Sequence, residues 1–194
     1  MKKRVAILIS GRGSNMTALI EAASANDYPA EIALVVSNRP QAAGLDRARS
    51  FGIPTAVIDH TLFGGDRAAF EQTLDQKLRD HKIDLVCLAG FMRLLTPWFV
   101  LRWSGRMLNI HPSLLPQFKG LDTHRRALEA GAERHGATVH FVVAEMDAGP
   151  IVAQESIAVH AHDTEETLAA RVLELEHRIY PRALRAMAQG QTTV

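Results

Sequence analysis

Apolar residues recur along the chain at two spacings, one suited to strands and one to helices. Residues 5–9 form an unbroken apolar run of strand length that ends in a glycine-rich turn. Met16, Leu19, Ile20 and Ala23 then fall on one helical face. Residues 32–36 predict a second buried strand, closed by Ser37, Asn38, Arg39 and Pro40, and residues 41–51 a helix ended by Gly52. A short strand at 55–58 follows, and Phe70, Leu74 and Leu78 stripe the next helix. Further apolar strands fall at 84–89 and 106–110, with a short helix near 97–102 between them. After Gly136 the pattern changes, because 138–143 and 151–159 are strands joined by a loop too short for a helix. A last helix from about Thr164 buries Leu168, Val172, Leu175 and Ile179, and Pro181 should kink or end it.

Strands that alternate with helices and are apolar throughout argue for a parallel sheet covered on both faces. The expected fold is α/β and Rossmann-like. Its sheet is mostly parallel with helices on both faces, and an antiparallel addition lies near the C-terminal part. There is no repeat or linker, so residues 1–194 are expected to form one domain.

Composition narrows the function classes. An apolar fraction of 47% and a charged fraction of 22% are ordinary for a globular chain, and a net charge of +1 lacks the basic stripe of a nucleic-acid binder. One cysteine excludes an internal disulfide framework and any CxxC pair, and Cys87, inside an apolar run, reads as a core thiol. The apolar run after Met1, Lys2, Lys3 and Arg4 is too short for a signal peptide or membrane span, so a cytoplasmic protein without membrane partners is expected.

The chemistry is sought after the strands, because open α/β sheets bind ligands beyond the carboxyl ends of their strands. After the first strand comes Ser10-Gly11-Arg12-Gly13-Ser14-Asn15 and then a helix. Glycines allow close backbone approach, and the helix amides would seat a phosphate. Ser14 or Asn15 could equally cap the helix without any ligand. Met16 stands where a dinucleotide fingerprint needs glycine, and no Gly-Lys-Ser/Thr is present, so a monophosphate fits better than NAD or ATP. Later, Asn109 and His111 lie two apart in an extended segment before Pro112, so their side chains project together. An amide could bond a developing oxyanion while an imidazole moves a proton; a turn Asn and a satisfied His are the alternative. Residues 144–150 carry Glu145 and Asp147 on a turn that is inert by default. If Asp147 reached His111, it would set the ring's tautomer and favour imidazolium. His160 and His162 lack supporting metal ligands and read as a solvated loop, and no metal is expected.

Four segments together, Gly11-Arg12-Gly13-Ser14-Asn15, Leu88-Ala89-Gly90-Phe91-Met92-Arg93, Asn109-Ile110-His111-Pro112-Ser113-Leu114-Leu115-Pro116 and Met146-Asp147-Ala148-Gly149-Pro150, resemble the folate-dependent formyltransferase family. Within it, the Gly-Ser-Asn loop and compact length point to the members that formylate glycinamide ribonucleotide in de novo purine synthesis. The resemblance implies 10-formyltetrahydrofolate as co-substrate, no metal, and a homodimer as one option. It puts the family's catalytic residues on Asn109, His111 and Asp147, and its phosphate loop on Gly13, Ser14 and Asn15. A ribose-contacting glutamate matches Glu176. The folate pocket matches Arg67, Met92, Arg93, Leu94, Leu95 and Asn109, with Val143, Ala144, Glu145, Met146 and Asp147. Two positions depart from the pattern and receive no role: Leu173, often polar in the family, and Asp122, where some members carry His.

Relatives of other function share the formyl-folate site. Methionyl-tRNA formyltransferases add a tRNA-binding domain, which a chain of 194 residues and near-neutral charge would not accommodate. Formyltetrahydrofolate deformylase, a hydrolase of the same folate, is the alternative kept; it usually carries an N-terminal regulatory domain, whereas the first strand here begins by Val5.

Overall fold

The computed structural model describes residues 1–192. Each expected strand is present in one seven-stranded sheet: β1 (Lys3–Ile9), β2 (Ala30–Ser37), β3 (Thr55–Val57), β4 (Leu85–Leu88), β5 (Met107–His111), β6 (Arg134–Phe141) and β7 (Ile151–Ala158). Their order is β3-β2-β1-β4-β5-β6-β7. The first five are parallel, and β6 and β7 are antiparallel additions, as the pattern change after Gly136 implied. The helices are α1 (Ser14–Ala23), α2 (Ala43–Ser50), α3 (Arg67–Asp80), α4 (Pro97–Arg102), α5 (Thr123–Glu129) and α6 (Glu165–Ala188).

The unbroken apolar run of β1 has a direct cause. Val5, Ile7 and Ile9 face a core completed by Met16 and Leu19 of α1, Leu45 of α2 and the stripe of α6. Ala6 and Leu8 face a second core built with Phe70, Leu74 and Leu78 of α3, Phe99 of α4 and Trp103 just past its end. A strand covered on both sides has no polar side to alternate with.

The structure corrects the sequence reading in three places. Of the two outcomes expected at Pro181, a kink or an end, the end does not occur, because the last helix continues to Ala188. An interior proline costs about 3 kcal/mol. Beyond it, however, Ala183, Leu184 and Met187 stay buried, and a large apolar side chain contributes about 1.5–3 kcal/mol when fully buried. Packing therefore outweighs the lost hydrogen bond, and the Tyr28 hydroxyl donates to the Pro181 carbonyl at 2.6 Å. Second, β6 begins at Arg134, four residues before its apolar run, because the polar start is paired with β7 from Arg134↔Ala158 onward. Third, α5 was not expected, having only seven residues and too few apolar ones to show a period.

Candidate active site

The parallel strands β1, β2, β4 and β5 all end at one edge of the sheet. Their order reverses between β1 and β4, which opens a crevice there. Ser10, just past β1, knits the rim. Its hydroxyl donates to Asn38 Oδ1 at 2.5 Å and accepts from the Met92 amide at 2.8 Å, so the loops after β1, β2 and β4 are tied together. Sequence reasoning placed Ser10 and Asn38 just past their strands but gave neither a partner, since no local pattern reveals a bond spanning 82 residues.

Gly13 precedes α1 at φ 74, and a Cβ there would lie 3.1 Å from Gly44 Cα. Glycine is thus required for the turn and for its contact with α2. No side chain caps α1. Asn15 instead donates to Glu176 of α6 at 2.5 Å, so two residues matched separately to phosphate and ribose meet at the helix N-terminus. A hollow of about 460 Å³, lined by Ser14, Thr17, Glu21, Arg47 and His177, opens beside α1. A second of about 340 Å³, lined by Gly11, Arg12 and Arg39, opens on the other side of the turn. Both flank the glycine turn rather than the Asn109 strand. Arg12, Arg39 and Arg47 give this region cationic character.

Burial pushes the Glu176 carboxyl up to about 6, against the opposing pull of its bond from Asn15. A carboxylate whose folded pKa is raised destabilises the fold as pH climbs through that value. The difference from 4.5 to about 6 corresponds to about 2 kcal/mol at neutral pH. Asn15 Oδ1 is buried without a partner, and an amide at position 176 could donate to it. Glu176→Gln is therefore expected to raise Tm at pH 7.5 by a few degrees, and by less at pH 5. Calorimetry at the two pH values checks this; a lower Tm at both would contradict it.

The second half of the site lies on β5 and β6. Asn109 and His111 point to one side of β5, and the antiparallel register sets Asn109 opposite His140. His140 Nδ1 faces the Phe141 carbonyl at 2.8 Å, which places a hydrogen there and leaves Nε2 to accept from the Asn109 amide at 3.2 Å. One amide hydrogen is thereby fixed and the other stays available. His111 is 5% exposed; its Nε2 faces the Phe118 carbonyl at 2.9 Å, and its Nδ1 lies 3.5 Å from Asp147 Oδ2. Asp147, at φ 51, also accepts from the Gly120 amide at 2.9 Å and places Oδ1 3.7 Å from His140. The three residues singled out from sequence thus converge, with His140 as a fourth that sequence reasoning missed. Its one signal was a polar residue inside the apolar run 138–143, and nothing local gave it a partner.

Burial lowers the His111 pKa below its ordinary value, although the Phe118 carbonyl and Asp147 both pull it upward. Asp147 acts in the expected direction, but desolvation wins. The pull of Asp147 toward the charged ring is thus opposed, and outweighed, by burial. Burial also opposes ionisation of Asp147, yet the neighbouring His140, the Gly120 amide and the His111 ring keep its carboxyl below the usual range.

The segments matched to a folate pocket follow β4 and lead into Asp147. Met92 and Leu94 are exposed after β4, with Arg93 and Leu95 half-buried, and Arg93 covers the Phe70 ring at 4.9 Å. Val143, Ala144, Glu145 and Met146 lead to Asp147, and Leu121 and Met146 are also exposed. Exposed large apolar side chains in loops at the carboxyl end of a sheet are the kind that line a flat, partly apolar ligand. Arg67 opens α3, exposed and without a hydrogen bond to the cluster, one turn from Phe70. Of the departures, Asp122 sits at the start of α5 and pairs with Arg125 at 2.5 Å, while Leu173 is half-buried on α6. Cys87 is fully buried, its thiol pushed up to about 12 by desolvation, as its core assignment requires.

Comparison with known proteins gives a consistent picture. The family model described as formyl transferase matches residues 3–184. A trifunctional purine biosynthetic protein adenosine-3 of Bos taurus is 51% identical over 189 residues, and the chain spans about a fifth of its length (19%). A phosphoribosylglycinamide formyltransferase of Escherichia coli is 46% identical over 96% of this chain and 88% of its own. The crystal structure of a phosphoribosylglycinamide formyltransferase from Brucella melitensis superposes with a TM-score of 0.93 at 50% identity, covering 100% of both chains.

Proposed function

The chain belongs to the formyl transferase family, and from that premise we propose that it transfers the formyl group of 10-formyltetrahydrofolate to the amine of N1-(5-phosphoribosyl)glycinamide, a step of purine synthesis. The observation that carries this reading is the meeting of Asn109, His111, His140 and Asp147 at the same sheet edge as an uncapped helix N-terminus. β1 and β5 are two strand spacings apart, roughly 10 Å, so a phosphate on Ser14 and Asn15 leaves an amine near Asn109.

Each step follows from the local chemistry. The amine attacks the formyl carbon, and the carbonyl oxygen gains negative charge in a tetrahedral intermediate. The free Asn109 amide hydrogen bonds that oxygen. Nδ1 of the neutral His111 ring accepts the amine proton, directly or through one water. The imidazolium so formed faces Asp147, whose charge stabilises it, and it returns the proton to the departing folate nitrogen. Asp147 thus matters most while the ring is charged. Met92, Leu94, Leu121 and Met146 supply apolar walls for the pterin. Glu176, held by Asn15, accepts ribose hydroxyls.

Asp147→Asn keeps the Gly120 bond but removes the charge that lifts the His111 pKa. The acid limb of the kcat/KM profile is expected to move to lower pH, with kcat falling about tenfold to a hundredfold. Rates measured from pH 5 to 9 test this; a profile identical to the parent's would remove Asp147 from the proton path. The reading as a whole is tested by incubating purified protein with both substrates. Formyl-nucleotide formation supports it, and hydrolysis of the folate regardless of added nucleotide would overturn it.

A further inference from the structure

The loop between Phe118 and Asp122 bonds both members of the proton path. The Phe118 carbonyl accepts from His111 Nε2, and the Gly120 amide donates to Asp147 Oδ2. This loop is conformationally unfavourable by itself: Phe118, Gly120 and Asp122 all have positive φ (53, 80 and 56), and two of the three carry a Cβ. Such a backbone persists only where its surroundings hold it. Arg126, on the exposed side of α5, supplies the hold. Its Nη1 donates to the carbonyls of Lys119 at 2.6 Å and Leu121 at 3.2 Å, the residues on either side of Gly120, and its guanidinium covers the Phe118 ring at 5.7 Å.

Resting on the formyl-transfer reading, we infer that Arg126 is a positioning residue: it clamps the 118–121 loop so that Phe118 fixes the His111 tautomer and Gly120 fixes Asp147. The planar guanidinium is the operative feature: Nη1 bonds both carbonyls while the plane of the group lies on Phe118, and an ammonium, which has donors for the carbonyls, has no face to lay on the ring. Arg125 next to it pairs with the Asp122 and Glu129 carboxylates, whereas Arg126 bonds the Lys119 and Leu121 carbonyls.

The charged and titratable groups facing His111 are Asp147 on the 142–150 loop, His140 and His135 on β6, and Arg126 and His124 on α5. Arg126→Lys keeps the number and sign of these charges and removes the planar group that lies on Phe118. A changed His111 titration in that variant therefore reports lost positioning and not lost charge.

The test uses the whole protein with two readouts. Imidazole nitrogen NMR is expected to show His111 as the Nε2–H tautomer in the parent and as a mixture in Arg126→Lys, with its pKa moved further down as the Phe118 and Asp147 contacts loosen. In the formyl-transfer assay the lysine variant is expected to lose about tenfold in kcat, its acid limb displaced to lower pH, with KM for the nucleotide within twofold of the parent. Arg125→Lys should match the parent in both. A folded Arg126→Lys whose His111 tautomer and pH profile equal the parent's overturns the clamp; Arg126→Gln, measured alongside, decides the same question if the lysine variant fails to fold. If the parent transfers no formyl group, the functional reading falls, and the NMR comparison still decides the clamp.

Discussion

Asn109→Ala is expected to lower kcat for formyl transfer by about a hundredfold or more, and His111→Ala to do at least as much, with both variants folded. The size follows from what each group does. A donor aimed at a developing oxyanion is worth about a hundredfold to a thousandfold, because it is already oriented when the charge appears. Here the orientation is visible: His140 holds one hydrogen of the Asn109 amide, itself fixed through the Phe141 carbonyl. Alanine at 109 removes the donor and leaves His140 in place, so KM for either substrate should move little while kcat collapses. His111→Ala removes the proton carrier. Combining the two should cost less than the product of the single losses, since they serve one transition state. Steady-state kinetics on the three variants, with Tm checked by calorimetry, decides the matter. Near-parent turnover in both single variants would take the chemistry away from this cluster.

Gly149→Ala is the second large effect, and it acts through the backbone. A Cβ at 149 would lie 1.8 Å from the Phe141 carbonyl oxygen and 2.8 Å from its carbon. That oxygen belongs to the strand that carries His140, and Phe141 also donates its amide to the Pro150 carbonyl at 2.9 Å. Neither side is a flexible side chain that can swing aside, so the β6–β7 connection must separate. A cost above about 4 kcal/mol is expected, which lowers Tm by roughly 10 °C or more for a chain of this size. Activity should fall as well, because the same connection holds Asp147. Gly131→Ala is the internal control. Its site is open, and the positive φ of 62 alone should cost about 1 kcal/mol. Equal Tm losses for the two variants would show that the close approach at 149 carries no energetic weight.

Much of this molecule was legible in the chain because the signals are local. The run 5–9 is apolar at every position, and a strand buried on both faces is the arrangement that uses all of them. The spacing of Leu168, Val172, Leu175 and Ile179 is that of one helical face, and all four are buried. Asn109 and His111 were legible as a pair because a strand repeats every two residues. The errors were equally physical. Pro181 carries a strong local signal that burial of Leu184 and Met187 overrides. Arg134, His135 and Gly136 carry no strand signal, yet pairing with β7 makes them one. Asp147 pulls the His111 ring toward its charged form as expected, and burial, which no local pattern measures, opposes it.

By itself, the order of residues determined which segments become strands and helices, that the sheet is parallel until β5, and which polar residues stand at strand ends. These follow from side-chain periodicity and backbone preference, which act over a few bonds. Only the tertiary structure decided that His140 comes to face Asn109, that Asn15 reaches Glu176 across 161 residues, and that Arg126 grips the loop beneath both His111 and Asp147. Those meetings depend on how the elements pack in space, and so does the depth of burial that determines which protonation state each group adopts.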